Sequence, residues 1–267
     1  MLLEHSNHAP CLSLGELNEH IADRFRNAIL DGSDVDGLLA NPLYRKNTFI
    51  SVTMTMMWEF IFTRYLFGLD RPICSAIKRL EKELAQTLPR EAVHRWRATT
   101  LYLLAQDMEL KSQKGHDILV ISIEIIDALM SMLPEGRPHD FRLGEQLCKL
   151  VHSAVDISVK MRTQPADYIM LPPLQPEYDS QGDLTSQIFF NASLMHDQRG
   201  VYASDEEAET EHAVVRLVLF PLVVKKGDDK GKGDEEVVVY RAQVVVAEEQ
   251  SERSAPESEI KAQAPGS

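Results

Sequence analysis

The chain has 267 residues, of which 44% are hydrophobic and 26% are charged, and its formal net charge is -13. This composition is typical of a globular protein with one large or two small domains. The acidic balance argues against a nucleic-acid surface, which needs clustered Lys and Arg, and against binding to anionic membranes. We therefore expect neither nucleic acid nor a membrane among its partners.

The three cysteines, Cys11, Cys74 and Cys148, are far apart and form no CxxC pair. This spacing predicts neither a disulfide framework nor a zinc knuckle. The amino-terminal sequence MLLEHSNHAPCL lacks the basic and apolar regions of a signal peptide. Together these features predict an intracellular protein, cytoplasmic or nuclear.

The first predicted helix opens with capping-box spacing at Ser13-Leu14-Gly15-Glu16. Its apolar stripe recurs every four residues, at Leu17, Ile21, Phe25 and Ile29. The next segment, DGSDVDG, has some of the acids of a calcium loop. Counted from Asp31, however, position five is Val35 and position twelve is Pro42, where oxygen ligands are needed. We interpret it as a solvated turn.

The most apolar and aromatic run of the chain extends from Thr48 to Gly68. As a helix, it has only one narrow polar ridge, formed by Ser51, Thr55, Glu59 and Thr63. Such a helix is either the buried centre of a bundle or a membrane span. A carboxylate near the middle costs about 2.5–3.5 kcal/mol in a bilayer, so Glu59 favours a buried core helix.

Two further helices are predicted from about Ile73 to Gln86 and from Pro89 onward. The first has Ile77, Leu80 and Leu84 on one side. The residues expected to face inward in the second are Val93, Trp96, Leu103 and Leu104. Its polar rim contains His94, Arg95 and Arg97. An arginine of this rim is the expected partner of Glu59, because a buried acid needs a counter-ion.

The segment from Asp117 to Leu133 begins with strand-like alternation, but its length favours a helix. Asp140 is expected to cap the next, longer helix. The residues predicted to form its packed side are Leu143, Leu147, Leu150, Val151, Ala154 and Val155.

The helical pattern ends at Thr163, because four prolines before residue 183 exclude a continuous helix. We interpret residues 163–183 as an ordered Pro-rich strap that lies along the helical surface, because otherwise its own apolar residues would be exposed: Tyr168, Ile169, Met170, Leu171 and Leu174. Residues 187–190 could form a short strand. The acidic segment SDEEAETE, which starts at Ser204, is expected to be a loop.

Two valine-rich runs, VVRLVLFPLVVKK and EEVVVYRAQVVVA, flank the Gly/Asp-rich turn GDDKGKGD. This arrangement predicts a β-hairpin, with Pro221 at an edge or a bulge. The turn has glycines but no GK[ST] and no following helix, so it is not a phosphate loop. Residues 248–267, rich in Glu, Ser, Ala and Pro, are expected to be disordered.

One constellation has the residue types of a catalytic or metal site. Cys148, His152 and Asp156 are spaced by four, so a thiol, an imidazole and a carboxylate share one helical face. They are weak candidates for catalysis, and the competing interpretation is a half-buried Cys beside a His–Asp pair at the rim. We predict no catalytic residue, no metal and no cofactor. The histidines His5, His8 and His20 are expected to be solvated, and His196-Asp197 to form a turn.

The layout resembles an uncharacterised family of filamentous-fungal proteins. The resemblance is carried by Phe25-Arg26, MMWEFIFTRYLFG, RWRATTLYLL, the strap MRTQPADYIMLPPLQPEYD and the hairpin run VVRLVLFPLVVKKGDD. It covers most of the chain and implies no catalytic residue. Members of such families are often longer, with coiled-coil or low-complexity regions upstream, which implies that this chain matches their carboxyl-terminal portion.

We thus predict a mainly α fold, a helical bundle of about six helices with a small C-terminal β-hairpin element. The expected organisation is a bundle at 1–162, the strap at 163–183, a β-rich element at 184–247 and the tail at 248–267. The expected function is a non-enzymatic protein-interaction or regulatory module, with a protein partner or self-association through the β-hairpin or the Pro-rich strap. The alternative is an enzyme or small-molecule binder with a pocket among the helices, using Glu59, His94, Arg97 or the Cys148 face.

Overall fold

A computed structural model of the chain describes residues 12–133, 141–181 and 184–247. Within these ranges it contains eight α-helices and six β-strands. The helices are α1 (Glu19–Arg26), α2 (Val35–Ala40), α3 (Pro42–Met57), α4 (Arg71–Leu84), α5 (Arg90–Leu104), α6 (Met108–Met130), α7 (Phe141–Arg162) and α8 (Asp205–Thr210). The strands are β1 (Asp167–Met170), β2 (Met195–Asp197), β3 (Val215–Phe220), β4 (Val223–Lys226), β5 (Glu236–Tyr240) and β6 (Ala242–Val246).

The prediction of a mainly α protein is confirmed, and the segment with the helix–strand ambiguity is the helix α6. The β content is larger than the predicted single hairpin, because there are two three-stranded sheets. The predicted cap Asp140 and the predicted disordered tail 248–267 lie outside the described residues.

The predicted capping box at Ser13 exists, but it closes a short 3-10 turn at Leu14–Glu16 and not the first α-helix. The chain then becomes extended at Leu17, and α1 starts with its own cap, in which the Asn18 side chain accepts a hydrogen bond from the His20 amide at 2.9 Å. In the segment DGSDVDG, which was predicted to be a solvated turn, Asp34 caps α2 by accepting from the Gly37 amide at 2.7 Å.

Helix α3 is the buried centre of the helical part, as its composition predicts. Eleven of its sixteen residues are buried, including polar ones such as Thr48 and Ser51. It continues into a π-helical turn, Trp58–Phe62. Glu59 within this turn and Thr63 directly after it are exposed. Among the described residues, the longest apolar helices still fall short of what a bilayer crossing requires.

The predicted hairpin is split between two sheets. Strands β4 and β5 pair antiparallel in a first sheet of order β1-β4-β5, and β3 and β6 pair antiparallel in a second sheet of order β2-β6-β3. The split falls at Pro221, between β3 and β4, and at Arg241, between β5 and β6. Proline has no ladder donor, so it ends one sheet and allows the chain to enter the next.

The second sheet is buried on both faces. Leu217 and Val245 belong to the core that contains α3, whereas Val215, Val244 and Val246 belong to a separate cluster with Phe190 and Ala208. Of the run 187–190, which was predicted to be a strand, only Phe189 forms a β-bridge, to Val214. The second sheet is therefore an internal layer of the molecule.

A buried ion pair joins the helical part to the second sheet. Arg216 of β3 donates from Nε to Asp31 at 2.6 Å, and side-chain exposure is 9% and 6% for the two residues. The guanidinium of Arg216 also lies 4.9 Å from the ring centre of Tyr44 on α3. Asp31 was predicted to lie in a solvated turn, and this ion pair corrects that prediction.

The acidic segment at residues 204–211 was predicted to be a loop, and that prediction is wrong. Ser204 caps α8 by accepting from the Glu207 amide at 3.2 Å, and three acids occupy the first turn. Negative charge near a helix amino terminus is stabilising because of the helix dipole. Ala208 is fully buried in the second cluster, and this contact fixes the helix on the protein.

Candidate interaction surface

Strand β5 is the most exposed regular element of the β part. All five of its residues are exposed. Its apolar side chains retain large exposed fractions: Val237 58%, Val238 36%, Val239 50% and Tyr240 50%. Apolar residues in succession on a strand are usually buried on at least one face, so this surface requires an explanation.

The outer edge of β5 presents backbone groups. Gly227 donates to the Glu235 carbonyl at 3.0 Å, which marks these residues as a hydrogen-bonded pair of the β4–β5 ladder. The register then pairs Lys225 with Val237 and Val224 with Val238. Because hydrogen-bonded and non-hydrogen-bonded pairs alternate in an antiparallel ladder, the amide and carbonyl of Glu236 and of Val238 face away from β4.

Within the described ranges, no strand pairs with that side of β5, since the sheet order ends there. The second sheet is different, because its edge strand β3 has hydrogen-bond partners on both sides. One side pairs with β6, and the other side bonds to chain segments outside the sheet. The Leu30 amide donates to the Arg216 carbonyl at 2.9 Å, and the Val215 amide donates to the Ile188 carbonyl at 2.8 Å. Strand β5 is therefore an open edge of the kind that accepts a further strand.

The β4–β5 turn is fastened to α5. Arg90 forms an ion pair with Asp234 of the turn. Gly231 is buried against His94, with φ +78°, and a Cβ at this position would lie 2.9 Å from the Cβ of His94 and from the Pro165 carbonyl. Only glycine fits this backbone conformation and this close approach. The fastened turn holds β5 at a fixed place.

His94 was predicted to lie on or near the polar rim of α5, and the structure buries it, with 8% exposure. Arg90 Nε donates to His94 Nε2 at 3.3 Å, so the neutral ring carries its proton on Nδ1. That Nδ1 faces Gly231 and has no hydrogen-bond partner among the described residues. Burial lowers the pKa of His94, and the nearby Asp167 carboxylate opposes this shift.

A polar cluster next to His94 connects α4 and α5 to β1. Arg97 forms an ion pair with Asp167 at 2.5 Å, and Tyr65 donates its hydroxyl to Glu81 at 2.7 Å. Burial and then this hydrogen bond raise the pKa of Tyr65 far above its usual value, so the phenol stays protonated. Each of these four groups is engaged with a counterpart, and the cluster holds structural elements together.

Glu59 does not pair with an arginine of α5, and that prediction is wrong. Its partner is Arg24 of α1, at 2.8 Å, and the Glu59 side chain is 48% exposed. The π-helical turn places this carboxylate at the surface, so it lies outside any pocket with His94 and Arg97. Leu103 was expected to face inward, but it is 64% exposed.

The catalytic candidates lie along the surface of α7. His152 Nε2 is 3.6 Å from Asp156 Oδ2, and Asp156 is also paired with Lys114 of α6 at 2.7 Å. Cys148 is half-buried against the helical core. Within the described residues, no group of three or more His, Cys, Asp or Glu side chains could hold a metal ion. His196-Asp197 belongs to strand β2 and not to the predicted turn.

The Pro-rich strap, residues 163–183, contains strand β1, which pairs antiparallel with β4. Met170 of β1 is buried, and its carbonyl accepts a hydrogen bond from the Trp58 indole at 3.1 Å. Leu171 and Leu174 remain 37% and 39% exposed, although an ordered strap was expected to bury them. Strand β1 is therefore an edge strand whose buried end rests on the helical core.

An apolar cavity of about 430 Å³ lies between α3, α6, α7 and the sheets. Its walls include Met54 and Met57 of α3, and Leu147 and Ile157 of α7. None of the polar residues proposed for a pocket lines it. This cavity was not predicted from the sequence because its walls come from five separate segments.

No family model matches this chain, and no solved structure matches it. The chain is similar to the protein called Leashin of Aspergillus fumigatus, with 54% identity over 245 residues. That region is 91% of this chain and 4% of Leashin, so the chain spans only a small part of this relative. The resemblance to a filamentous-fungal protein is confirmed by this match.

Proposed function

We propose that this chain is a protein-interaction module that binds an extended segment of another polypeptide along β5. The observation that carries the proposal is the open edge of β5, with outward-facing backbone groups at Glu236 and Val238 and exposed apolar side chains between them. Addition of a strand would satisfy these backbone groups and cover the valines. We place this activity inside the cell, since Cys74 and Cys148 are free thiols.

The contrast between the sheets supports this assignment. Proteins normally protect an edge strand by shortening it, covering it or placing charges on it. The second sheet has its β3 edge covered, whereas β5 carries one charged residue, Glu236, followed by four apolar residues. The single bulge in β5 lies between the pairs of Val223 and Val224, so it leaves Glu236, Val237 and Val238 in regular pairing.

Enzymatic chemistry has less support from the same geometry. His94 has its Nε2 beside Arg90 and its Nδ1 beneath Gly231, so both ring nitrogens lie against groups of the protein itself. The side chains of Arg97 and Asp167 form an ion pair with each other. A general base has to be free to reach the proton that it removes, and the charged groups of this cluster are paired with one another instead.

The test is a selection of peptides from a random phage-displayed library on the whole chain. Bound peptides are expected to be rich in β-branched and aromatic residues, and their affinity is expected to fall at least tenfold for Val238→Pro. This substitution removes an outward-facing amide and no ladder bond, so the fold should persist, which circular dichroism checks.

The matched control is Ile123→Asp, which changes an exposed apolar residue of α6 that is 56% exposed and far along the chain from β5. Peptide binding should be unchanged by it. If selected peptides bind the Val238→Pro variant as well as the original chain, β5 is not the binding edge and the proposal is wrong.

A second candidate function, binding of an apolar small molecule, is favoured by the cavity of about 430 Å³. Calorimetric titration with 1-octanol should show binding with a negative heat-capacity change, because apolar surface is buried. Ile157→Asp, at a wall residue that is 50% exposed, should weaken binding. Octanol heats that are equal for the variant and the original chain would exclude the cavity as the site.

A further inference from the structure

The apolar cavity is the deepest part of a groove that runs along α3 and α7. We propose that this groove binds an amphipathic helix of a partner protein, whose apolar stripe is flanked by acidic residues. The groove shares no residue with β5, so it is a second binding surface beyond the proposed function. It is also the place where the second candidate function puts a small molecule, and the experiments below separate the two occupants.

The groove has the length of a helix of about four turns. Its wall on α7 runs from Leu143 to Ile157 through residues spaced by four and three, which share one helical face. At 1.5 Å per residue this wall is roughly 21 Å long. The opposite wall is α3, and Arg162 of α7 donates to the Phe62 carbonyl at 2.9 Å, which holds the carboxyl end of α7 on the π-helical turn after α3.

The apolar surface of the groove extends beyond the cavity. Leu150 and Ile157 on α7 are 47% and 50% exposed. Leu43, which lies two turns before Ile50 on the same face of α3, is 48% exposed. A small molecule in the cavity leaves these side chains in water, whereas a helix along the groove covers them. The groove is also lined by four methionines, whose flexible side chains adapt to bound apolar groups: Met54, Met57, Met130 and Met170.

The rim of the groove on both long walls is basic, although the net charge of the chain is -13. On α3, Lys46 lies four residues before Ile50 and continues the stripe that faces the groove. On α7, Lys149 lies four residues before Ser153 and Lys160 lies seven residues after it, on the same side of the helix. All three lysines are exposed, and within the described ranges none of them forms an ion pair.

The acids of α7 do not neutralise this rim. Asp156 is paired with Lys114 of α6, and Glu145 lies about 140° around the helix from Leu150. On α6, Asp127 lies three residues before Met130 and places one carboxylate at that end of the groove. Positive charge therefore predominates along the two long walls. A partner helix with carboxylates beside its apolar stripe is attracted by these walls, and a basic helix is repelled.

Three synthetic peptides test the occupant. The first is a helix of about 18 residues with leucines spaced alternately by three and four and with glutamates on both sides of that stripe. It should bind the whole chain saturably by fluorescence anisotropy and gain helicity by circular dichroism. The second carries lysines in place of the glutamates and should bind about tenfold more weakly at low salt, a difference that salt reduces. The third has the same composition as the first with leucines on all faces, and should not bind.

Variants of the chain test the site. Lys149→Glu combined with Lys160→Glu should reverse the preference, so that the lysine peptide binds more tightly than the glutamate peptide. The matched control, Lys82→Glu combined with Lys111→Glu, makes the same change of net charge at exposed lysines that do not line the groove and should leave the preference unchanged. Leu150→Asp should weaken binding of the glutamate peptide by about tenfold or more, because it puts a charge into the apolar stripe.

The outcomes separate this inference from both proposed functions. Binding of the glutamate peptide that is lost in Leu150→Asp but kept in Val238→Pro places the helix in the groove and not on β5. If Val238→Pro abolishes this binding, or if the first and third peptides bind equally, the groove is not a helix site. If octanol binds but no peptide displaces it, the cavity holds a small molecule and the helix is wrong. If the rim variant keeps the original preference, the acidic partner is wrong.

Discussion

Strands β5 and β6 are neighbours in the chain and almost alike in sequence, yet they have opposite environments. β5 reads EVVVY and is exposed throughout, whereas β6 reads AQVVV and has Val244, Val245 and Val246 fully buried. The cause is the break at Arg241, which sends β5 to the edge of one sheet and β6 to the centre of the other. A high valine content therefore predicts a strand, and the position of that strand in its sheet decides whether the valines are exposed or buried.

The largest difference between the two strands should appear when a charge is placed on each. Val244→Asp puts a carboxylate into a fully buried site and should destabilise the chain by more than about 4 kcal/mol. Val237→Asp lies opposite Lys225 at an exposed position and should change stability by less than about 0.5 kcal/mol. Urea unfolding measures both, and equal effects would contradict the described burial.

The second prediction concerns the ion pair that fixes the sheet of β6 to the helices. Asp31→Ala leaves Arg216 buried without its counter-ion and should cost about 3 kcal/mol of unfolding free energy. The matched control is Asp23→Ala, which removes an exposed ion pair with Arg26 and should cost less than about 1 kcal/mol. A cost for Asp31→Ala as small as that of the control would show that the pair is solvated.

The third prediction concerns the turn that positions β5. Gly231→Ala requires a positive φ and a contact at 2.9 Å with His94 and Pro165, so it should cost about 1–3 kcal/mol. Gly233→Ala shares the positive φ, +85°, but meets no atom within 4 Å. It should cost only about 1 kcal/mol, from the left-handed backbone alone. Thermal unfolding that shows equal losses would mean that the turn does not rest on His94.

The smallest expected effect is the pH dependence that His94 contributes. Burial lowers its folded-state pKa below the ordinary 6.5, so below about pH 6.5 the unfolded chain binds more protons than the folded chain. The contribution of His94 to the free energy of unfolding should therefore be constant above that pH. Below that pH, this contribution should fall by at most about 1.4 kcal/mol per pH unit.

Denaturant titrations of the original chain and of His94→Gln, compared from about pH 7.5 to 5, measure this contribution. Their difference in stability should shrink or change sign as the pH falls. A difference that stays constant across this range would show that His94 titrates normally.

Local patterns predicted the elements whose environment is set by their own composition. Helix α3 was predicted to be a buried core helix because it is apolar on nearly all sides, and α6 was resolved as a helix by its length. Both valine runs were predicted to be strands. The split of the hairpin was not predicted, although Pro221 marked its position, because the choice of sheet depends on contacts with α3 and Phe190.

The interaction surface was only partly predictable for the same reason. The second valine run was predicted to be one arm of a hairpin, but only its first part, β5, is exposed, because the valines of β6 are buried. The position of His94 depends on Gly231, which is 137 positions away in the chain. The acidic segment forms a helix that is stabilised by the burial of Ala208. The charge pattern of the segment does not indicate this contact.

The ion pair between Asp31 and Arg216 joins residues that are 185 positions apart. At about 5–20 residues per second, a ribosome needs roughly 10–40 s to travel between the two codons. During that interval α3 has already been synthesised, while the β-strands that cover it have not. The nascent chain therefore exposes its most apolar helix for many seconds, and chaperone occupancy on the growing polypeptide should be highest between the synthesis of α3 and that of β6.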